Sequence, residues 1–460
     1  MPSFDYNHPM IGELETRLND FSNSTRAAAL LDLLALAQKD PGLLPAESSA
    51  INMHCHSFFS FNAYGFSPTA LVWLAKKLGL RVAGIVDFDN LDGVEEFLSG
   101  CSLAGMRSSA AMETRIFIPE FADRVTNSPG EPGISYHMGI GFTSQKVNEK
   151  GKTILQGMRE RAEQRNRSMV KRLNTYLDPV IVNYDTDVLP LTPSGNATER
   201  HILAAYIDSA KRTVKDQVRF WSEKLEKDPK TVRNLMLDAA SFSSAVRRKL
   251  MKHGGVSYTQ PSPKNFPTAE EFHEMVISNG ALPAFCYLNG TTEGEQCMDE
   301  LLGLLVSKGV AAMNMIPNLA VPGPCSDPDN SELRRVRSEL LLHTANLARE
   351  FDLPLHIGTE MNSYGQRQVD DLDSPELAPL RDRFIDGAYF IYGHVKLHRS
   401  LGIGYQSEWA NSFLPTRSER NSFYARAGFL IPPGMPGFQA LNNLHATMNP
   451  REILSTLSKS

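Results

Sequence analysis

Residues 52–68, NMHCHSFFSFNAYGFSP, decide how the rest of the chain is read. Side chains alternate across an extended strand, so His54 and His56 share one face while Ile51, Met53 and Cys55 take the other. Two ionisable rings on one buried face are costly without a partner, and a metal ion is the usual partner. The stretch ends in Ser67-Pro68, an N-cap followed by proline at the first helical position. Leu71, Val72, Leu74, Ala75 and Leu78 then supply a buried helix face, and Gly79 stands where that helix should stop. A strand that ends in potential ligands and turns directly into a capped helix is the opening unit of an α/β protein.

The texture repeats outward from there. RVAGIVDFD, AAMETRIFI, YHMGIGF, ALPAFCYL, GVAAMNMI, LPLHIGTE and GAYFIYGH are candidate strands separated by helical patterns, which points to a parallel α/β sheet or barrel. Residues 1–48 read as a helical extension, with STRAAALLDLLALAQ rich in helix formers. Between 143 and 267 the pattern is helical throughout, charged and amphipathic, which marks an insertion. The expected layout is therefore an extension (1–48), a first barrel part (49–142), the insertion (143–267), a second barrel part (268–426) and a tail (427–460). The tail's proline and glycine content predicts irregular coil with a short final helix.

The chain has 460 residues and a formal charge of −5, so no global field draws it to nucleic acid or an anionic membrane. Five cysteines without a Cys-x-x-Cys pair argue against a disulfide framework and suit a reducing cytoplasm. The N-terminal residues lack the basic start and apolar core of a signal peptide, and no apolar run is long enough to span a bilayer.

In an α/β barrel, reactive groups gather at the C-terminal ends of the strands. Here the candidate strands end in, or pass through, His54 and His56, Asp87 and Asp89, Glu113, His137, Glu360 and His394.

These residues carry a resemblance. HCHSFFSFNAYGFSPTALVWLAKKLGLRVAGIVDFDNLDG is similar to the opening of the polymerase and histidinol phosphatase (PHP) superfamily, with its His-x-His, Ser-Pro-capped helix and acidic strand end. AAMETRIF, SYHMGIGF and HIGTEMN resemble the later motifs. RERAEQRNRSMVKRLN with GNATERHILAAYI resembles the helical insert of the nucleotide phosphatase and 5′-3′ exoribonuclease branch. The resemblance implies a distorted (β/α)7 TIM-like barrel with up to three divalent metals.

Carried over residue by residue, it implies a first metal on His54, His56, Glu113 and Glu360. A second would share Glu113 and add His137, with Tyr287 or Cys286 standing where the family has a histidine. The third site's positions hold Asn62, Phe88 and Asn362, and phenylalanine has no lone pair to give. One divalent ion is expected, at most two, and two imidazoles with two carboxylates suit Zn, Mn or Fe. His137, Asp87 or Asp89 would serve as acid or base. Arg200 and His201 would recognise an anion, with Lys396 and Arg399 weaker candidates. His394 is a replacement ligand, a substrate contact or an ordinary strand-end residue. The other Lys/Arg runs, RERAEQRNR and VRRKLMKH, read as solvated helix faces. Phe58, Phe59, Phe61 and Tyr64 either stack on a ring or pack the first loop, and Cys286 reads as an inert thiol.

The expected activity is metal-dependent hydrolysis of a small phosphoester. The alternatives are a mononuclear hydrolase or lyase of a non-phosphorylated substrate, or a barrel that binds a metal or ligand without turnover.

Overall fold

The computed structural model describes residues 9–260, 265–288, 290–320 and 331–459. Seven strands form one sheet in sequential order: β1 (Ile51–Cys55), β2 (Val82–Phe88), β3 (Arg107–Phe117), β4 (Ile134–Ile140), β5 (Leu282–Tyr287), β6 (Ala312–Met315) and β7 (Leu355–Ile357). The sheet curls until its two edges meet just beyond β7, where Glu360 bridges Cys55 in parallel. Gly358 permits that closure, because a Cβ there would overlap the backbone of His54. The result is a mixed α/β, nearly closed seven-stranded barrel.

The helices in chain order are α1 (Pro9–Arg17), α2 (Asn23–Lys39), α3 (Pro68–Lys77), α4 (Val94–Leu103), α5 (Glu149–Tyr176), α6 (Glu199–Thr213), α7 (Gln217–Leu225), α8 (Pro229–Met236) and α9 (Ala239–Met251). After them come α10 (Ala269–Ser278), α11 (Met298–Ser307), α12 (Ser331–Glu350), α13 (Arg381–Leu401), α14 (Glu408–Phe413), α15 (Arg417–Leu430), α16 (Gly434–Asn442) and α17 (Pro450–Leu457). Ser67 caps α3, its Oγ accepting from the Ala70 N–H at 2.9 Å. The same hydroxyl donates to Leu18 O, and Glu15 takes both the Trp73 indole N–H and Lys77 at 2.7 Å. The first two helices therefore lie against α3, on the outside of the barrel.

Three sequence expectations change. The sheet is not all parallel: β4 runs against both β3 and β5. Residues 118–133 between β3 and β4 hold only a single short 3₁₀ turn, so no helical crossover exists to return the chain in the parallel sense. GAYFIYGH is not a strand but the middle of α13, a 21-residue helix. Gly393 of α13 and Gly428 of α15 face each other so closely that a Cβ on either would strike the other helix's backbone. The tail ends in the expected short helix, α17, but the rest is not simply coil, since the end of α15 and all of α16 lie in it.

The reversed strand also explains where the helical segment goes. β4 ends at the bottom of the barrel, and α5 starts there, its cap Asn148 tied to Ser278 and Asn279 just before β5. α5 has 28 residues, about 42 Å, so it climbs beside α10 and overshoots the top of the barrel. Its lower residues Ile154, Leu155 and Met158 belong to the barrel core. Its upper residues Met169, Val170 and Leu173 belong to a second hydrophobic core built with α6 to α9. No helix among the described residues is long and apolar enough to cross a membrane.

Candidate metal centre and its cationic roof

The two histidines of β1 meet Glu113 of β3 at the top of the barrel. His54 Nε2 and His56 Nε2 are 3.4 Å apart, and Glu113 Oε2 lies 3.7 Å from the first and 3.3 Å from the second. All three side chains are buried. An ion held tetrahedrally at about 2.0–2.1 Å from each donor requires donors about 3.4 Å apart, so the spacing fits one divalent cation. Burial works against charge on His56, but the hydrogen-bonded Glu113, with Glu360 and Asp87 beyond, outweighs it and raises its pKa. Glu113 feels the reverse: burial pushes its pKa up, and His54 and His56 pull it down further.

Neighbours set the tautomers. His56 Nδ1 lies 3.2 Å from Ser60 Oγ, and that hydroxyl donates to Asp87 Oδ1 at 2.7 Å. Ser60 therefore accepts from His56 Nδ1–H, which leaves Nε2, whose proton is shared with Glu113, as the nitrogen a divalent ion would take. Asp87 is fixed further by the Ser57 N–H at 2.8 Å and the Ser57 hydroxyl at 2.7 Å. Burial raises the Asp87 pKa against the pull of those bonds. The side-chain amide of Asn314, on β6, sits 3.0 Å from His54 Nδ1. Nδ2 is the amide atom facing that nitrogen and Oδ1 has no partner; with the two amide atoms exchanged, Oδ1 would accept from Nδ1–H and leave His54 Nε2 for an ion. Ser60→Ala and Asn314→Ala should each weaken metal affinity about 10- to 100-fold, measured by competition with a chelator.

The other expected ligands are placed differently. Glu360 lines the same cavity, but its Oε2 accepts from Gln366 Nε2 at 3.0 Å and Asn362 Nδ2 at 3.4 Å, and it does not join the three converged donors. His137 faces out of the barrel. It pairs with Thr114 across the antiparallel ladder, so it shares that residue's face and not Glu113's. Its Nδ1 meets His273 of α10 at 3.2 Å, and burial lowers its pKa well below the ordinary value. His394 lies within α13, where its Nδ1 accepts from the Tyr405 N–H at 3.0 Å. Tyr287 also points out of the barrel, its hydroxyl beside Gly290, while the register puts Cys286 next to Asn314. Cys325 lies outside the described residues.

Above the cluster opens a cavity of about 320 Å³, roofed by α5, α6 and α9. Its far wall carries five cations: Arg115, Arg165, Arg200, Arg247 and Lys252. Glu199 is the carboxylate three of them share, 3.1 Å from both Arg247 and Lys252 and 3.6 Å from Arg115. Arg115 also pairs with Glu131 at 2.9 Å. The Arg115 and Arg165 guanidinium groups flank the Phe266 ring at 4.5 and 4.6 Å. Arg200 donates to Asn362 Oδ1 at 2.8 Å. Burial, with Arg247 alongside, pushes Lys252 down to about 8 and lowers Arg200 as well. The cavity is thus anionic at the metal cluster and cationic at its roof, with Phe61 and Phe88 between. Asp89 lines it too, at a positive φ of 58°, hydrogen-bonded by Thr114 Oγ1. Burial raises the Asp89 pKa, partly offset by Thr114 and Arg165.

Of the residues predicted for anion recognition, only Arg200 reaches this cavity. His201 completes the N-terminal capping box of α6, its Nδ1 3.1 Å from the Thr198 N–H, and packs edge-on against Phe61. Lys396 lies over the Tyr392 ring on α13 and Arg399 pairs with Glu95, both away from the cavity. The remaining cations come from the two runs whose local pattern is that of solvated helix faces: Arg165 from RERAEQRNR, Arg247 and Lys252 from VRRKLMKH. Arg115 carried a signal, being a cation in the buried interior of a strand, beyond its first residue Arg107.

No protein-family model matches the chain, and no curated protein matches it. Solved structures do. One is an amidohydrolase from Chromobacterium violaceum with bound sulfate and no metal, 15% identical, covering 73% of this chain and 96% of its own, at a TM-score of 0.47. Another, from Bifidobacterium adolescentis, is provisionally described as a metal-dependent phosphoesterase; it is 17% identical and covers 74% of this chain and 97% of its own, also at 0.47.

Proposed function

We propose that this protein is a metal-dependent hydrolase of small phosphorylated esters, on a barrel of the PHP type. The observation that supports this reading most directly is the polarity of one cavity: three convergent metal donors at its floor and five cations on its roof. Three protein ligands leave a coordination position open, the pattern of catalytic rather than structural sites. A divalent cation bound there supplies Lewis acidity and acidifies a water toward a pKa of about 7.

The chain's own residues do the rest. The guanidinium groups and Lys252 hold and orient the ester's oxygens, and their charge opposes the negative charge that grows during phosphoryl transfer. Phe61 and Phe88 offer an apolar wall to the remainder of the substrate. Asp87 is committed to Ser57 and Ser60 and orients His56. Asp89, facing the cavity with a raised pKa, is the carboxyl able to pass a proton to a leaving oxygen. The cavity's size suits one small molecule.

The test is a panel of phosphomonoesters, with carboxylated amides and lactones beside it, on protein stripped of metal and reloaded with Zn, Mn or Fe. Orthophosphate release restored by one of these ions is the expected result. Turnover of amides or lactones alone would replace the phosphoester reading, and failure to bind any ion would end the hydrolase reading.

A further inference from the structure

Behind the cationic roof lies a second, smaller recess of about 140 Å³. Arg200, Arg247 and Lys252 form the partition, each lining both spaces. The far side is closed by Arg248, Ser243, Ser244 and Ser363. We propose that this recess is a binding site for a second tetrahedral oxyanion, inorganic phosphate or the phosphate end of a small ester. The inference rests on the cationic partition and not on the metal cluster, so it goes beyond the hydrolase reading and stands apart from it.

The composition of the recess names the ligand chemistry. Among the described residues, four cations line it and no carboxylate does. Glu199, which neutralises Arg247 and Lys252, lines the main cavity and not the recess. Arg248 and the hydroxyls of Ser243, Ser244 and Ser363 have no hydrogen-bond or ion-pair partner among the described residues. No apolar side chain among the described residues lines the space, so none of them there would hold a ring or an acyl chain. Guanidinium forks and hydroxyl donors around a small volume match the several acceptor oxygens of a phosphate.

The arrangement is built rather than incidental to one surface. Ser243 with Arg247, and Ser244 with Arg248, stand four residues apart on α9 and so present paired donors along one helix face. Arg200 comes from α6, and Ser363 from the segment after β7. The pKa values of Arg200 and Lys252 are lowered by burial and by Arg247. An anion on either side of the partition relieves that cost. Because three cations serve both sides, occupancy of one space weakens binding in the other, and the coupling is reciprocal.

Calorimetric titration of the full-length chain with orthophosphate and, separately, methylphosphonate tests this. Two orthophosphate sites per chain are expected, one of them weakened at least about tenfold in Arg248→Glu and in Ser244→Asp. Methylphosphonate filling both sites would identify the recess as open to a phosphate end. Methylphosphonate filling one site would identify it as a seat for the free ion; either result upholds the site. A wild type that binds no orthophosphate, or one in which no orthophosphate site is weakened by either substitution, overturns the proposal. Metal content measured on the same samples reports on the His54–His56–Glu113 cluster independently, so failure of one reading is not mistaken for failure of the other.

Discussion

Glu113→Gln is expected to abolish stoichiometric metal binding and to reduce kcat/KM by about three orders of magnitude or more, while the barrel stays folded. The substitution keeps the side chain's shape, so packing around β3 is preserved, but it removes the only charged donor of the three that converge. A neutral amide oxygen is a far poorer ligand for a transition metal than a carboxylate, and the activity proposed here has no other source of an acidified water. Elemental analysis of protein purified without chelator should give about one ion per chain in the wild type and close to none in the variant. Thermal unfolding supplies a second readout. A ligand that binds only the folded state adds RT ln(1 + [L]/Kd), about 4 kcal/mol at a thousand times Kd. Chelation should therefore lower the wild-type Tm and leave that of Glu113→Gln unmoved. Full metal occupancy in the variant would remove Glu113 from the site.

Glu199→Gln is the second large effect, and it falls on stability. Glu199 is the carboxylate that Arg115, Arg247 and Lys252 share, and its pKa is held far below the ordinary value by Lys252 first, then Arg247 and Arg115, against the upward push of burial. Removing one partner of a buried ionic network strands the others, at a cost of about 3–5 kcal/mol. The roof cations are partly open to the cavity, so the lower end, about 3 kcal/mol, is expected. The shift should appear in the first urea transition, and saturating sulfate should recover part of it by taking the carboxylate's place. No loss of stability, or no rescue by sulfate, would mean that the five cations do not act as one anion-holding wall.

The parts of the site that were legible in the sequence are those governed by short-range periodicity. His54 and His56 could be placed on one face because a strand repeats every two residues, and Glu113 stood out as a carboxylate inside an apolar run. His137 failed for the same reason that His54 succeeded. Within β4 every other residue faces inward, but which set does depends on the register with β3, and a slip of one residue turns the whole strand over. The sequence carries no local mark of that register, whereas the reversal of β4 is marked by the turn-rich NSPGEPG before it, which leaves no room for a crossover helix. GAYFIYGH was misread because a short apolar run is common to a buried strand and a buried helix. The roof was least legible of all. Arg165, Arg247 and Lys252 sit in charge runs whose local pattern is that of any solvated helix, and only the tertiary arrangement turns them inward.

That arrangement depends on α5, whose two halves belong to two different hydrophobic cores. The metal donors are embedded in the first core, whereas the second packs the helices that present most of the cations. Substitutions that repack one core need not disturb the other, since distant, unshared contacts contribute independently. On the function proposed here, chemistry and selectivity would be housed in separately mutable compartments joined by one continuous helix. A lineage could then retune which anion is accepted by changing α6 and α9 without altering the three converged donors, and the same partition would offer a protein engineer a place to alter specificity while leaving those donors intact.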